Sequence, residues 1–259
     1  GWQIEGEPYT KEAGTEFDWF RARMLGGRTN HWGRISLRMG PDDFQPKDGL
    51  TDAWPITYDE VKPFYDRVDK LIGIYGTVEN IPNEPDGIFL KPPPPRLNEH
   101  YIMRGAKKAG VTVIPGRGSV LTEALPGNKD RGTCFYCGQC GRSCKVYGDF
   151  SSSSCLVIPA MKTGNLTVID NAMVREVLTN DEGVATGVSY VNIKDQKEYA
   201  AKAKTVILGA SACESARLML NSKSKAHPAG VGNSSGLVGK FLHDSTGTGL
   251  GGILPQLLD

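Results

Sequence analysis

Four of the six cysteines of this chain lie within eleven residues, and this cluster constrains the fold more than any other feature. Cys134, Cys137, Cys140 and Cys144 follow the pattern C-x2-C-x2-C-x3-C. Thiolates two residues apart on a tight loop can converge on one small inorganic centre, and their softness suits iron–sulfur or zinc. The sequence therefore predicts a metal-binding loop at this point in the chain.

The pattern leaves the nature of that centre open. It is the spacing of bacterial ferredoxins, except that Lys145 stands where those proteins have a proline. Structural zinc sites usually have two separated C-x2-C pairs, which the sequence lacks. Disulfides between such close neighbours would be strained. In ferredoxins the fourth cysteine of this run serves a different cluster, so the fourth ligand is open here, with Cys144 and Cys155 as candidates. Three cysteines would hold a 3Fe-4S cluster, and four would hold a 4Fe-4S cluster.

The composition is that of an ordinary globular protein. The chain has 259 residues, of which 39% are hydrophobic and 23% charged, enough for one large or two small domains with a substantial core. The net charge of +1 argues against electrostatic binding of nucleic acid. The sequence has no apolar stretch long enough to span a bilayer, and no targeting segment is recognisable at its start.

Helices are predicted before the cysteine loop. Thr57 and Glu60 form a capping box ahead of a run of apolar residues at helical spacing. A second helix is predicted over residues 97–109 and a short strand over 111–114. Prolines between residues 82 and 95 predict an extended excursion rather than a packed element.

Strands are predicted after the cysteine loop. They cover residues 166–169, 173–178 and 184–191, with a hairpin turn at 180–183. A short strand over 205–208 then runs through small residues into a helix, as in a dinucleotide or phosphate cradle. A β-meander followed by such a unit is typical of the second half of a flavin-binding domain, although any α/β crossover gives a similar pattern.

A glycine-rich loop lies near the start of the chain. It reads Gly26-Gly27-Arg28-Thr29-Asn30-His31-Trp32. Paired glycines followed by small polar residues suit a loop whose backbone N–H groups approach a phosphate or a flat ring. A plain glycine turn has the same pattern, and a histidine in such a place is more often a structural hydrogen bonder than a catalyst.

Taken in order, four blocks of the chain resemble the glucose–methanol–choline (GMC) family of FAD-dependent oxidoreductases, particularly its bacterial sugar, gluconate and glycoside 3-dehydrogenases. The blocks are the glycine-rich loop, the segment Trp54-Pro55-Ile56-Thr57-Tyr58, the cysteine loop continued to residue 166, and residues 209–218 with 238–244. The resemblance implies a mixed α/β (α+β) fold. It would be a Rossmann-like FAD-binding domain with a β-meander, plus part of a substrate or cap domain.

The resemblance also divides the chain. Residues 1–50 are expected in the FAD-binding domain, 51–133 in the cap, 134–156 in the cluster loop, 157–245 in the FAD-binding domain again, and 246–259 in the substrate domain. The family's G-x-G-x-x-G and C-terminal catalytic histidine pair have no counterpart in the sequence. The chain is therefore expected to be a truncated internal fragment, and no catalytic residue is assigned.

The resemblance implies positions for the flavin. The residues expected to contact it are Gly26, Gly27, Thr29, Asn30, His31 and Trp32 at the ring and ribityl chain, Val174 at the adenine, Ala210 and Ser211 at the adenosine end, and His243 near the flavin. His31 is also a candidate for covalent attachment, since a histidine before tryptophan anchors the flavin in the family's pyranose oxidase branch.

The implied reaction is hydride transfer from a hydroxyl of a sugar or polyol to flavin N5. Electrons would leave through the cluster to an acceptor such as a cytochrome c or a quinone-linked subunit, with a small accessory subunit as a further partner. The compartment stays open, although related sugar dehydrogenases are commonly periplasmic. The alternatives are an iron–sulfur electron-transfer protein or zinc-stabilised binding protein without its own flavin, and a fragment that is inert by itself.

Overall fold

The computed structural model describes residues 9–16, 22–47, 49, 51–142, 144–242, 249 and 251–257. The chain divides into two compact units. The first consists of Gly1–Thr167 and Leu254–Asp259, and the second of Val168–Ile253.

Helices dominate the described part of the first unit. They are α1 (Pro41–Phe44), α2 (Tyr58–Ile72), α3 (Leu97–Lys108) and α4 (Ile158–Lys162). Single turns of 3-10 helix occur at Gly27–Asn30 and Pro255–Leu257, and a π-helical turn at Ser153–Val157 leads directly into α4. Two short strands, β1 (Ile74–Tyr75) and β2 (Phe89–Leu90), pair in parallel.

Helix α2 begins where its capping box predicts. The Glu60 N–H donates to the Thr57 hydroxyl at 3.4 Å, and the Glu60 carboxylate accepts from the Thr57 N–H at 2.7 Å. Gly73, with φ 74°, ends the helix, and a Cβ at this position would meet the Leu121 side chain at 2.3 Å. The second predicted helix is confirmed as α3, which ends one residue earlier than expected.

The second unit contains an antiparallel meander and one helix. Its strands are β3 (Ala172–Thr179), β4 (Ala185–Asn192) and β5 (Glu198–Lys202), hydrogen-bonded in that order. The predicted hairpin between the first two is confirmed, whereas β5 was not predicted. Helix α5 (Ser211–Asn221) contacts β3, and the Val177 N–H of that strand donates to the Ser222 hydroxyl at 2.8 Å.

Three predicted strands are wrong. Residues 111–114, 166–169 and 205–208 are apolar runs, but none is a strand in the structure. A strand needs a hydrogen-bonded neighbour, and the described residues supply none for these runs. Ile207 is accordingly 88% exposed. The mixed helix-and-sheet class is therefore confirmed, while the Rossmann-like part of the predicted fold is not seen among the described residues.

The core of the first unit contains both apolar and charged side chains. Its apolar centre consists of Ile72, Ile74, Phe150 and Cys155, with Trp32, Phe89 and Leu156 packed against it. Four arginines are also buried, namely Arg34, Arg38, Arg117 and Arg131. Buried charges are costly unless they are paired and hydrogen-bonded, so each of these arginines fixes the segment that supplies its partners, which is helix α2 for Arg38.

Candidate functional site

The glycine-rich loop makes a close backbone turn. Gly26 has φ 88° and precedes the 3-10 turn. A Cβ on Gly26 would lie 2.9 Å from the Asn30 amide nitrogen and 2.9 Å from the Ser153 side chain. Gly27 also has a positive φ, of 52°, but a Cβ there would meet nothing within 4 Å. The first glycine is therefore required both for its conformation and for space, and the second for its conformation alone.

The serine run after the cysteine loop is hydrogen-bonded to this glycine-rich loop. The Ser152 N–H donates to the Thr29 hydroxyl at 3.0 Å, and the Ser153 hydroxyl donates to the Asn30 side-chain oxygen at 2.6 Å. The π-helical turn starts at Ser153, and such turns occur frequently at functional sites. Two segments more than 120 residues apart in sequence therefore form one surface.

A cavity of about 510 Å³ lies against this surface. Its lining comes from three segments: Met24, Asn30, His31 and Arg34; Gly141, Arg142, Cys144, Tyr147 and Asp149; and Ser151, Ser153, Ser154 and Ile158. The volume is in the range of cofactor and ligand sites, about 300–1,000 Å³. Of the predicted flavin residues, Asn30 and His31 line the cavity. Gly26 and Thr29 support it from behind through their contacts with the serine run.

A buried ion pair that sequence reasoning missed forms part of the cavity wall. The Arg34 guanidinium donates to the Asp149 carboxylate and to the backbone oxygens of Trp32 and Asn30. The two side chains are 3% and 5% exposed. Arg34 follows the glycine-rich loop directly, but its partner is 115 residues away, so no local pattern signals the pair.

The four clustered cysteines share a second cavity, of about 350 Å³. Its lining is Cys134, Phe135, Cys137, Gln139, Cys140, Arg142, Cys144, Lys145, Val146 and Asp149. The Tyr136 N–H donates to the Cys134 sulfur at 3.2 Å. Burial raises the pKa of the Cys140 thiol, and the nearby Asp149 carboxylate adds to this rise. The structure thus brings the four predicted residues to one place.

The sulfur atoms are not arranged as a finished metal site. In the described parts of the chain, no three histidine, cysteine, aspartate or glutamate side chains could hold a metal ion as they stand. The cysteines are all free thiols, so the disulfide interpretation has no support. Cys155 does not line the cysteine cavity. Its sulfur lies in the core, 3.6 Å from the Asp149 carbonyl oxygen to which it donates.

Arg131 fixes the base of the cysteine loop. Its guanidinium donates to the carbonyl oxygens of Ile72 at 2.6 Å, Tyr147 at 3.0 Å and Gly148 at 3.4 Å. Burial lowers the pKa of Arg131, although the neighbouring Cys155 and Asp149 oppose this shift. One buried cation therefore joins the end of α2 to the far end of the loop.

The remaining predicted flavin residues lie in the second unit or outside the described residues. Val174 lies in β3, where its carbonyl oxygen accepts from the Arg217 guanidinium at 3.2 Å. Ala210 is the N-cap of α5, and Ser211 is its first residue, exposed and with φ 65°. His243 lies outside the described residues.

A third cavity lies beside α5 within the second unit. It measures about 590 Å³ and is lined by Ala212, Cys213, Ala216, Arg217, Leu220, Asn221, Gly239, Lys240, Phe241 and Leu242. Ala210 and Ser211 are not among these lining residues, although they directly precede the first of them. The two residues predicted to contact the adenosine end of FAD therefore precede the cavity lining in the sequence but are not part of it.

A glycine-rich loop at a cofactor-sized cavity and a loop of clustered thiols at a second cavity are together typical of redox proteins. The chain belongs to the GMC oxidoreductase family, whose model matches residues 10–246. It is 31% identical over 226 residues to a 2-methyl-1,2-propanediol dehydrogenase of Mycolicibacterium austroafricanum, covering 84% of this chain and 40% of that protein.

Two further relatives are named as sugar and sugar-acid dehydrogenases. The chain is 27% identical to the fructose dehydrogenase large subunit of Gluconobacter japonicus, over 87% of this chain and 42% of that protein. It is 26% identical to the gluconate 2-dehydrogenase flavoprotein of Pantoea cypripedii, over 75% of this chain and 37% of that protein. The chain thus spans about two-fifths of the length of these relatives.

Membrane insertion through a helix has no candidate in the described ranges. None of the helices there combines the length and the apolar character that crossing a bilayer requires.

Proposed function

We propose that this chain is part of an FAD-dependent dehydrogenase that oxidises a hydroxyl group of a sugar or related polyol. The observation that carries the proposal is the cavity beside the glycine-rich loop, whose wall contains Asn30, His31 and residues of the serine run. The printed names of the relatives support the substrate class, since a diol, fructose and gluconate all present hydroxyl-bearing carbons. FAD, when bound, supplies the acceptor for the hydride.

The residues of this chain would bind and orient the flavin. The turn at Gly26 lets the glycine-rich loop pack against the serine run, because a side chain there would collide with Ser153. Asn30 accepts from the Ser153 hydroxyl and donates to the carbonyl oxygens of Leu25 and Gly27, so it fixes the shape of the loop at the cavity wall. Thr29, Trp32 and Gly27 are proposed to support the same end of the flavin. His31 lines the cavity. Its covalent attachment to the flavin is a prediction that agrees with this position.

The adenosine end of FAD is proposed to lie in the second unit. Val174, Ala210 and Ser211 are the residues proposed for it, with His243 assigned from the family resemblance. Val174 is proposed to contact the adenine through its backbone. Its carbonyl oxygen already accepts a hydrogen bond from the Arg217 guanidinium. No residue is assigned as the base that takes the hydroxyl proton.

The cysteine loop is proposed as the site of an iron–sulfur centre held by Cys134, Cys137, Cys140 and Cys144. Their spacing and their shared cavity support this proposal. The present side-chain geometry does not fit a metal within the described residues, so no step of the reaction is routed through a cluster. Cys144 is preferred to Cys155 as a ligand because only Cys144 lines the cavity.

The partner proposed for the reduced flavin is an electron acceptor such as a cytochrome c or a quinone-linked subunit. The name of one relative, a large subunit, states that this relative works with at least one other chain. A small accessory subunit is proposed here on the same ground. Nucleic acid is not proposed as a partner, since the net charge is only +1.

The test is the visible absorption spectrum of the purified protein, recorded without oxygen before and after addition of fructose, gluconate or a diol. We expect flavin bands that bleach on addition of one of these compounds. Flavin bands that none of the compounds bleaches would contradict the substrate class. A broad iron–sulfur absorption without flavin bands would instead favour an electron-transfer protein that has no flavin of its own.

A matched pair of variants ties the spectrum to the cavity. Gly26→Ala should lose most of the bound flavin, because its Cβ would lie 2.9 Å from Asn30 and Ser153. Gly27→Ala meets nothing within 4 Å and should retain flavin, since only its backbone is strained. Equal flavin content in the two variants would contradict the placement of the ring.

A further inference from the structure

Aromatic and basic side chains are exposed together on the cysteine loop. We call Phe135, Tyr136, Arg142 and Lys145 the basic–aromatic face. Phe135 is 64% and Tyr136 53% exposed, and both basic side chains are exposed as well. Apolar groups displayed beside charges on a surface mark interaction sites, and aromatic residues and arginine are enriched where proteins bind each other.

Charge is distributed unevenly along the chain, and the basic–aromatic face belongs to its basic part. Residues 91–145 contain ten lysines and arginines against three aspartates and glutamates, whereas the rest of the chain contains twenty against twenty-six. Only Arg117 and Arg131 of the ten are buried. This segment therefore has eight exposed cations and three exposed anions, while the chain as a whole is nearly neutral.

The backbone of the loop holds its aromatic residues in a strained conformation. Tyr136 has φ 58° and Tyr147 has φ 52°, values that non-glycine residues seldom adopt. Each is held by a hydrogen bond, from the Tyr136 N–H to the Cys134 sulfur and from the Tyr147 N–H to the Cys144 carbonyl at 3.1 Å. Strain of this kind persists where the surroundings enforce it, commonly at functional sites.

We propose that the basic–aromatic face is the docking surface for an acidic one-electron redox protein. The inference rests on the proposed dehydrogenase function. Oxidation of one hydroxyl to a carbonyl releases two electrons and two protons. Two oxidised acceptor molecules would therefore be reduced in turn, and the protons would pass to solvent. An acidic protein fits better than nucleic acid because the face itself has two cations, far fewer than binding along a phosphate backbone uses, while its aromatic rings add contact area.

The test measures binding of the full chain to a small acidic cytochrome c by surface plasmon resonance, with a basic cytochrome c as the comparison. We expect the acidic protein alone to bind. Its affinity should fall steeply from about 0.02 M to about 0.3 M salt, over which the Debye length shortens to below about 10 Å.

Charge reversal locates the surface. The double variant Arg142→Glu with Lys145→Glu should weaken binding by about tenfold or more, mostly through slower association. Lys194→Glu with Lys202→Glu makes the same change in net charge on exposed residues of the second unit and should leave binding unchanged. Tyr136→Ser leaves the charge intact and tests the aromatic contribution if the double variant fails to fold.

Three results would overturn the proposal. Equal loss of affinity in both double variants would show that binding depends on net charge and not on this face. Binding of the basic cytochrome with similar affinity would remove the charge argument. Displacement of the acidic cytochrome by duplex DNA at equal or lower concentration would make the face a general polyanion site. Reduction of a small dye by substrate is measured separately, so failure of the dehydrogenase function and failure of the docking surface are distinguishable.

Discussion

The Arg34–Asp149 pair predicts a large loss of stability when one partner is removed. Both side chains are almost fully buried, and Arg34 also donates to two backbone oxygens. Breaking a buried pair leaves one charge uncompensated and costs about 3–5 kcal/mol. We therefore expect Asp149→Asn to lower the free energy of unfolding of the first unit by roughly 3 kcal/mol, near the lower limit because the amide still accepts a hydrogen bond.

Urea unfolding followed by tryptophan fluorescence measures this loss. All four tryptophans lie between residues 2 and 54, inside the first unit, so the signal reports on that unit. With a slope of about 2 kcal/mol per molar urea, the midpoint should fall by about 1.5 M. Asp130→Asn is the control, since the Lys162–Asp130 pair is 61% exposed on both sides and should contribute less than about 1 kcal/mol.

A double-mutant cycle tests whether the two residues act as a pair. The double variant Arg34→Met with Asp149→Leu removes both charges. We expect its destabilisation to be smaller, by about 1–3 kcal/mol, than the sum for Arg34→Met alone and Asp149→Leu alone. A midpoint for Asp149→Asn equal to that of Asp130→Asn would refute the reasoning. Strict additivity in the cycle would refute it as well, because the two charges would then not interact.

Three further predictions concern loops and acid stability. Arg131→Met should destabilise the first unit by about 3 kcal/mol, since three carbonyl oxygens lose a charged donor. Limited proteolysis should then cut the cysteine loop first, and unchanged cleavage would contradict the role given to Arg131. Thr57→Ala should lower the free energy of unfolding by about 1 kcal/mol through loss of the α2 cap, measured by urea unfolding. Thr57→Ser keeps the hydroxyl and should retain most of that stability. Burial would raise the pKa of Asp86, but the N–H groups of Glu79 and Asn80 and the charge of Arg117 outweigh this and lower it below the usual 3.8. The stability it contributes is therefore present above its unfolded-state pKa and lost as pH falls through the lower folded-state value. Asp86→Asn should be less sensitive to pH in that range, and an unchanged acid-unfolding profile would contradict this.

Local signals predicted the local structure of this chain. The capping box of Thr57 and Glu60 fixed the start of α2, since both partners lie within one turn of helix. The hairpin between β3 and β4 followed from a turn sequence of four residues. The cysteine cavity follows from spacing alone, because its four thiols come from one loop.

Structure that depends on distant partners could not be predicted in this way. The run over residues 205–208 has the composition of a strand, but composition does not supply a hydrogen-bonded neighbour. Arg34 and Asp149 are 115 residues apart, and Arg131 is 59 residues from the Ile72 oxygen it holds. The cavity at the glycine-rich loop depends on the distant serine run, so the sequence indicated only the Asn30 and His31 part of its wall.

The wall between the two cavities of the first unit is shared. Arg142, Cys144 and Asp149 line both of them. A group that fills one cavity and moves any of these side chains changes the affinity of the other cavity for its own occupant. The second occupant must then change the affinity of the first by the same factor, because linkage between two binding equilibria is reciprocal. Removing either occupant from the purified protein should therefore change how tightly the other is held, and the two effects should be equal in size.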